Sequence, residues 1–533
     1  MTPPSPRSAA APVATAGGAR PSLPSRFARL ALVAGLLLFL AAAAWFPIRD
    51  PDLWFHLAAG RWMLEHGEVI RADPFSFTAV GAPWIAHEWG FEVAAAFLHR
   101  LGAENLLLGA KVVLVLLLVP TLLAACRFAG ADLLVSGALL AAWTLMSAVY
   151  LHARPQVVTY LLLAALMALL LRWKFHGGRS LWILPPLFLV WANLHAGFLG
   201  GLLVLAIFLA GEGLLSWRPL LRREPGHSAG RGEVPRLAGV AAACVAATLA
   251  NPFGWRLYLL PGKITGSAYM QSAVTEWLPS WDARLSRDWD TRIFWGMLVL
   301  ALLSIVHRFG RTDLTHFALV VVFGLLAARS NRHIPLFGLV ALPLVARNLT
   351  AAARRFLPPR AFAGPAHAAA CLVLAASLAG VSGWSAWSSF PITRRASFAG
   401  GVDHAQVPVD AVDWMEAHHV DGRAFNAYIF GGYLAWRQWP RTTVSMDGRN
   451  EVYGEALVRE HYDALGDPAV FAAFDAKHAP EFVLLDARRR DLDQPLFDHL
   501  LGAEEWSLVH SDRLTNLFVR RIPRFEAIAA EGW

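Results

Sequence analysis

Leu30 to Phe46 reads LALVAGLLLFLAAAAWF, and two residues later comes Arg49-Asp50-Pro51-Asp52-Leu53-Trp54-Phe55-His56. At 1.5 Å per residue, the first stretch can cross most of a ~30 Å hydrocarbon core only as a helix, which satisfies its own backbone polar groups. It is too long for a signal-peptide core and lacks a cleavage site, so it is expected to remain as the first membrane span. The second stretch has the signs of a helix start: Asp50 as cap, Pro51 as first helical residue, and Asp52 near the positive helix end. His56 comes one turn after Asp52 and faces the same side. Two carboxylates at a membrane surface also suit a divalent cation, Mg or Mn, or can take a proton from an attacking hydroxyl.

Working outward, the apolar pattern of the first stretch recurs. The 533 residues are 56% hydrophobic and 16% charged with mean hydropathy +0.44, a balance that requires lipid as solvent. Further spans are expected near 106–125, 133–150, 156–171, 181–194, 197–216, 236–251, 292–307, 313–328, 333–346 and 366–386, about eleven in all. The Asn193–Gly197 stretch reads either as a break in one bent helix or as a tight re-entrant turn. The net charge of +8 does not indicate a nucleic-acid partner, because the arginines sit in short loops between spans. Cys126, Cys244 and Cys371 lie in or beside apolar spans, which argues against disulfides or a cysteine-ligated zinc.

Alternation of positive loops predicts the sidedness. With the N-terminus inside a bacterial inner membrane, the cytoplasmic loops carry Arg172, Lys174 and Arg179; Arg218, Arg222, Arg223, Arg231 and Arg236; Arg308 and Arg311; and Arg347, Arg354, Arg355 and Arg360. The expected organisation is a disordered cytoplasmic tail over 1–26, a transmembrane domain over 27–389 with a first exported loop at 48–104, and a periplasmic α/β domain over 390–533. In the last region, strands are expected at Arg423–Tyr428, Thr442–Met446, Glu481–Leu485, Trp506–His510 and Asn516–Val519, with helices at Val409–His418 and Gly454–Leu465. The fold class is thus mostly α, a polytopic helical bundle with a C-terminal exported α/β domain.

On that topology the unusual polar residues gather on the exported side, where they mark substrate paths or sites. The first loop supplies Asp50, Asp52, His56, Asp73, His87 and Glu88, and other outward ends supply His152, Arg154, Asn193, His195, Asn251, Arg256, Glu276, Arg329, Asn331, Arg332 and His333. Arg154, Arg329 and Arg332 run against the orientation bias, and guanidinium groups match phosphate oxygens bidentately. Lys111, near the outer end of its span, either snorkels or binds a lipid phosphate. Asn193 and His195 either satisfy backbone at a helix break or touch substrate. Tyr428–Tyr433 and Met446–Arg449 read as glycine turns, with Asp447, Arg449 and Tyr453 as alternative lining for an acceptor groove. No Walker, dinucleotide-binding, HExxH or GxSxG sequence occurs.

Asp52-Leu53-Trp54-Phe55-His56 is similar to the Asp-x-aromatic-aromatic segment of the oligosaccharyltransferase catalytic subunit, and Asp73-Pro74-Phe75 with Gly81 and Trp84 resembles the next part of that subunit's first external loop. His87-Glu88-Trp89, Asn193 to His195, Gly431-Gly432-Tyr433-Leu434 and Asp447-Gly448-Arg449 resemble motifs of bacterial GT-C-type integral-membrane glycosyltransferases, distantly like oligosaccharyltransferases and protein mannosyltransferases. The Trp-Trp-Asp acceptor motif of the oligosaccharyltransferases has no counterpart, so protein N-glycosylation is not implied. The resemblance implies sugar transfer from a polyprenyl-phosphate-linked donor to a glycan, lipid or protein acceptor on the outer face. It implies that Asp52, with Asp50 as rival and Glu88 as a second carboxylate, is catalytic, with a divalent cation at Asp50 and Asp52. Substrate contacts would come from His56, His87, Lys111, Arg154, Asn193, His195, Arg329, Arg332 and His333. The alternatives are a non-enzymatic transporter or flippase of lipid-linked glycans, and a scaffold with a degenerate site.

Overall fold

The computed structural model describes residues 23–217, 233–260, 262, 275–307, 313–388 and 400–532. The expected tail, up to residue 22, and the loop residues Arg218, Arg222, Arg223, Arg231, Arg308 and Arg311 lie outside them. Helix α1 spans Leu23–Ala44 and buries Ala28, Leu32, Leu36 and Leu40, a single stripe with a four-residue repeat. The stripe side approaches helix Pro365–Ser388 so closely that a Cβ on Gly35 would stand 3.0 Å from the Ala375 Cα. Such small-residue contacts bring membrane helices together where lipid offers no hydrophobic drive.

Among the described residues, eight helices are long and apolar enough to cross a membrane. Shorter apolar helices at Ser180–Leu194 and Leu314–Arg329, together with helix Glu233–Thr248, account for the other three expected segments. The protein is a multi-pass membrane protein. At the break expected near Asn193, helix Leu184–Leu194 ends where His195 turns extended, and a separate helix begins at Phe198. Lys174, near the C-terminal end of helix Gln156–His176, pairs with Glu212 and, at 2.6 Å, with Asp313. That buried network ties three helices together at the opposite end of the bundle from Arg154, which precedes the same helix.

Between the first two spans lie α2, Asp52–His66, and the start of α3, Trp89–Leu116. The Asp50 carboxylate accepts the Asp52 N–H at 2.8 Å and so starts α2; Gly67, at φ 70°, stops it. Helix α3 breaks at Gly102 and Ala103, which separates its polar first segment from the apolar span beyond.

The C-terminal region carries the expected five strands: β1 Gly422–Asn426, β2 Thr442–Val444, β3 Phe482–Asp486, β4 Trp506–Ser511 and β5 Thr515–Arg520. The sheet order is β2-β1-β3-β5-β4, with β1 parallel to β2 and β3, and β5 antiparallel to β3 and β4. The first loop docks on the β2 edge: Val444 N–H donates to Phe75 C=O and Phe77 N–H donates to Val444 C=O, each at 3.1 Å. Beside this edge the buried Arg449 guanidinium pairs with Asp73 and Asp447, each at 2.6 Å, and stacks over Trp84 and Phe75.

Two expectations for this region are corrected. Gly431-Gly432 opens helix Gly431–Gln438 instead of making a turn between strands, because the Gly431 backbone must pack against Met446 C=O where a Cβ would not fit. Asp447, Arg449 and Tyr453 are buried around the Arg449 ion pairs and do not line a groove.

Candidate active site

The carboxyl ends of β1 and β2 lead into Tyr428, Gly448 and Asn450, which together with the start of α2 line a cavity of about 640 Å³. Ligands commonly sit beyond the carboxyl ends of parallel strands. The bundle side contributes Asp52, Phe55, His56, His87, Glu88, Glu92, Arg154, Gln156, Glu276, Trp277 and Arg332; the sheet side adds Tyr428, Asn450, Glu451 and Glu455.

Arg154 is the electrostatic centre of one wall. Its guanidinium pairs with Asp50, with Asp52 at 3.2 Å and with Glu276 at 2.9 Å. Asp50, one residue before the Pro51 N-cap of α2, is 2% exposed, accepts the Asp52 N–H and has His152 at 3.6 Å, so it is spent on structure behind the cavity wall. Burial would raise its carboxyl, but Arg154 and His152 outweigh that and hold it below its ordinary value. Asp52 lines the cavity with its side chain 28% exposed. Burial first, then the carboxylates of Asp50, Glu276 and Glu88, push it up to about 7 against the pull of Arg154. The two rival carboxylates thus have different surroundings, and Asp52 is the one that faces open space. Arg332, also on the lining, lies over the Trp277 ring with Cζ 4.4 Å from its centroid.

A second cluster on the lining is built around Glu88. Its Oε1 meets His195 Nε2 at 3.3 Å and His87 Nε2 at 3.6 Å, and its Oε2 meets His56 Nε2 at 3.6 Å. The Gly197 N–H points at His195 Nδ1 at 3.0 Å, which makes that nitrogen an acceptor and leaves the proton on Nε2, directed to Glu88. Thr159, taking the Trp191 N–H at 2.8 Å, donates its hydroxyl to the same Nδ1 at 2.7 Å. Burial pulls His56 down to about 4, whereas His87 is raised because Glu88, Glu451 and Glu92 together outweigh its burial.

Glu92 Oε1 lies 3.1 Å from His56 Nδ1, and its buried Oε2 has no hydrogen-bond partner among the described residues. His56, Glu88 and Glu92 each offer a ligand atom, all within 4.8 Å of one another. Two carboxylates, an imidazole and an orphaned buried oxygen fit a divalent cation such as Mn or Zn better than the Asp50–Asp52 pair, which faces a guanidinium.

Of the residues expected from sequence, Asp52, Glu88, His56, His87, Arg154 and Arg332 line the cavity, while Asp50 and His195 stand directly behind it. Asn193 uses its amide otherwise: its oxygen accepts the Trp89 N–H at 3.0 Å and its nitrogen donates to Leu189 and Ala250 carbonyls. Lys111 is 4% exposed inside its span, with Nζ 3.8 Å from the Phe46 ring centroid. Arg329 and His333 are not on the lining. Glu276 stands out in the sequence only as an outward polar residue with no role attached, Tyr428 and Gly448 only as parts of expected glycine turns, and Glu92, Gln156, Trp277, Asn450, Glu451 and Glu455 do not stand out at all. Of these, Glu92 alone has a local signal, lying one helical turn after Glu88.

No protein-family model and no curated protein sequence matches the chain. Solved structures do. The Archaeoglobus fulgidus oligosaccharyltransferase tethered with an acceptor peptide aligns at TM-score 0.57 and 12% identity over 92% of this chain and 74% of its own. ArnT from Cupriavidus metallidurans bound to undecaprenyl phosphate aligns at TM-score 0.54 and 9% identity over 95% and 99%. This chain therefore has the GT-C-like fold of those integral-membrane glycosyltransferases, a multi-pass helical bundle capped by a C-terminal α/β region.

Proposed function

We propose that the protein is a glycosyltransferase that moves a sugar from a polyprenyl-phosphate-linked donor to an acceptor on the outer face of the bacterial inner membrane. The observation that carries this reading is one cavity lined by a carboxylate near neutrality, Asp52, by its partner Arg154 and by Arg332. The fold neighbours support it, since one is bound to undecaprenyl phosphate and another is tethered to an acceptor peptide. An outward site suits this donor, because nucleotide sugars are cytoplasmic whereas lipid-linked sugars can be presented outside.

In the proposed reaction Asp52 takes the proton of the acceptor hydroxyl or amine as that atom attacks the anomeric carbon, inverting it. The bond from that carbon to the phosphate oxygen breaks, and the lipid phosphate leaves with the electron pair. Arg154 and Arg332 face the leaving phosphate, where two guanidinium groups stabilise the developing negative charge. A general base is most effective with a pKa close to the working pH, and burial brings Asp52 there. The outer carboxylates of Glu451 and Glu455 with Tyr428 and Asn450 would form the acceptor side. His56, Glu88 and Glu92 would hold a divalent cation; when bound, it supplies Lewis-acid charge for donor phosphate oxygens. His195 orients Glu88 for that role through its fixed Nε2 proton.

The test is transfer of radiolabelled sugar from a panel of polyprenyl-phosphate donors in membranes holding wild type, Asp52→Asn or Asp50→Asn, with and without chelator. Transfer by wild type that vanishes in Asp52→Asn supports the reading. A wild type that binds none of the donors, or an Asp52→Asn chain with full transfer, rejects it.

A further inference from the structure

The Asp447-Gly448-Arg449 turn belongs to the sheet region, yet its middle residue touches the candidate base. A Cβ built on Gly448 would stand 2.4 Å from Asp52 Oδ1 and 2.9 Å from Phe55 Cε1. A side chain of any kind would have to occupy the place that the Asp52 carboxylate now holds. Nearby, a Cβ on Gly432 would stand 2.8 Å from Pro51 C=O and 3.2 Å from Phe55 N, so the same region also presses on the first turn of α2.

The approach is held firmly from both sides. Arg449, next in the chain, is anchored to Asp73 of the first loop at 2.6 Å with both side chains fully buried. Thr78 donates its hydroxyl to Ser445 C=O at 2.6 Å, and Trp439 donates its indole N–H to Pro74 C=O at 2.9 Å. Tyr433 packs edge-on against Trp54 with centroids 4.8 Å apart. Two elements nearly four hundred residues apart in sequence are thereby locked at the point where Asp52 leaves α2.

We infer that the Asp447-Gly448-Arg449 turn is a positioning element for the reaction: it presses a side-chain-free backbone against Asp52 and so keeps its carboxylate turned towards Arg154 and the cavity. This rests on the proposed role of Asp52. Gly448 makes no chemical contribution of its own, and it acts through where Asp52 can stand. The sheet region then has a part in the chemistry besides walling the cavity, because its docking sets the aim of the base. A displacement of about 1 Å at a reacting group lowers turnover by roughly 10²-fold.

The experiment uses the full chain with Gly448→Ala, alongside Gly466→Ala, where the glycine has nothing within 4 Å of its missing Cβ. The expected result for Gly448→Ala is a kcat lowered by roughly 10²-fold with the donor KM changed by less than about threefold, because aim is lost and not binding. Gly466→Ala should retain wild-type transfer. An unchanged kcat in Gly448→Ala, or a loss confined to KM, overturns the inference. A cryo-EM structure of the same variant gives a readout that needs no transfer assay: Asp52 turned away from position 448 with its 3.2 Å pairing to Arg154 lost. An unmoved Asp52 there overturns the inference even if no donor is ever found, so its failure and that of the transferase reading are separable. If Gly448→Ala fails to fold, adding Asp52→Ala should restore folding by removing the clashing carboxylate, and a double variant that stays unfolded also counts against it.

Discussion

Replacing Arg154 by Gln removes the cation that three carboxylates share. Glu276 and Asp52 are 37% and 28% exposed in their side chains, so water can compensate most of their loss. Asp50 is different: its side chain is 2% exposed, and without Arg154 it retains only the Asp52 N–H and a histidine 3.6 Å away. Stranding a buried charge in this way typically costs about 3–5 kcal/mol; with the N–H bond retained, the lower end, about 3 kcal/mol, is expected. The loss should depend on pH in a defined direction. In wild type the Asp50 carboxyl sits below its ordinary 3.8, so the stabilisation is complete above that value and fades as pH falls through the folded pKa. In the variant burial is opposed only by His152 and the Asp52 N–H, so the carboxyl rises relative to wild type, and the deficit is largest at neutral pH and shrinks towards about pH 4. Thermal unfolding of detergent-purified protein at about pH 7.5 and about pH 4.5 reads both effects. Adding Asp50→Asn should recover much of the lost stability, because removing both partners leaves no stranded charge. Wild-type stability of Arg154→Gln at neutral pH, or a double variant no better than the single one, would refute the reasoning.

Two further outcomes are expected elsewhere in the molecule. His461 is fully buried against Phe425, with neither ring nitrogen hydrogen-bonded, and burial lowers it to about 4. Its contribution is complete above the unfolded value of 6.5 and lost as pH falls towards 4, about 3 kcal/mol in all; His461→Phe should flatten thermal stability over that window, and an unchanged slope contradicts it. Lys174→Met should strand the buried Glu212 and Asp313 carboxylates and cost about 3–5 kcal/mol, with Glu212→Gln added to it recovering part of the loss. Equal melting temperatures of Lys174→Met and wild type would count against the network.

What could be read from the sequence was what depends on near neighbours. Hydropathy over a window located the helices, because lipid imposes the same demand on every spanning segment. Short apolar runs located all five strands within a few residues, and Asp50-Pro51-Asp52 announced the start of α2. Asp52, Glu88, His56, His87, Arg154 and Arg332 stood out because ionisable groups at span ends are rare. The choice between Asp50 and Asp52 was not in the sequence, since both fit a helix start; Arg154, a hundred residues away, settled their surroundings by taking Asp50 into a buried pair. Asn193 looked equally able to serve a substrate or a helix break, and only the packing of Trp89 and Ala250 against it assigned the amide. Gln156, Asn450, Glu451 and Glu455 carry no local mark at all. Local signals report what one segment needs for itself, whereas a site needs groups from distant segments at fixed distances, and those distances come from packing: the glycines at 431 and 432 let backbone approach backbone, Gly448 lets backbone approach the Asp52 and Phe55 side chains, and the Arg449–Asp73 pair holds them there.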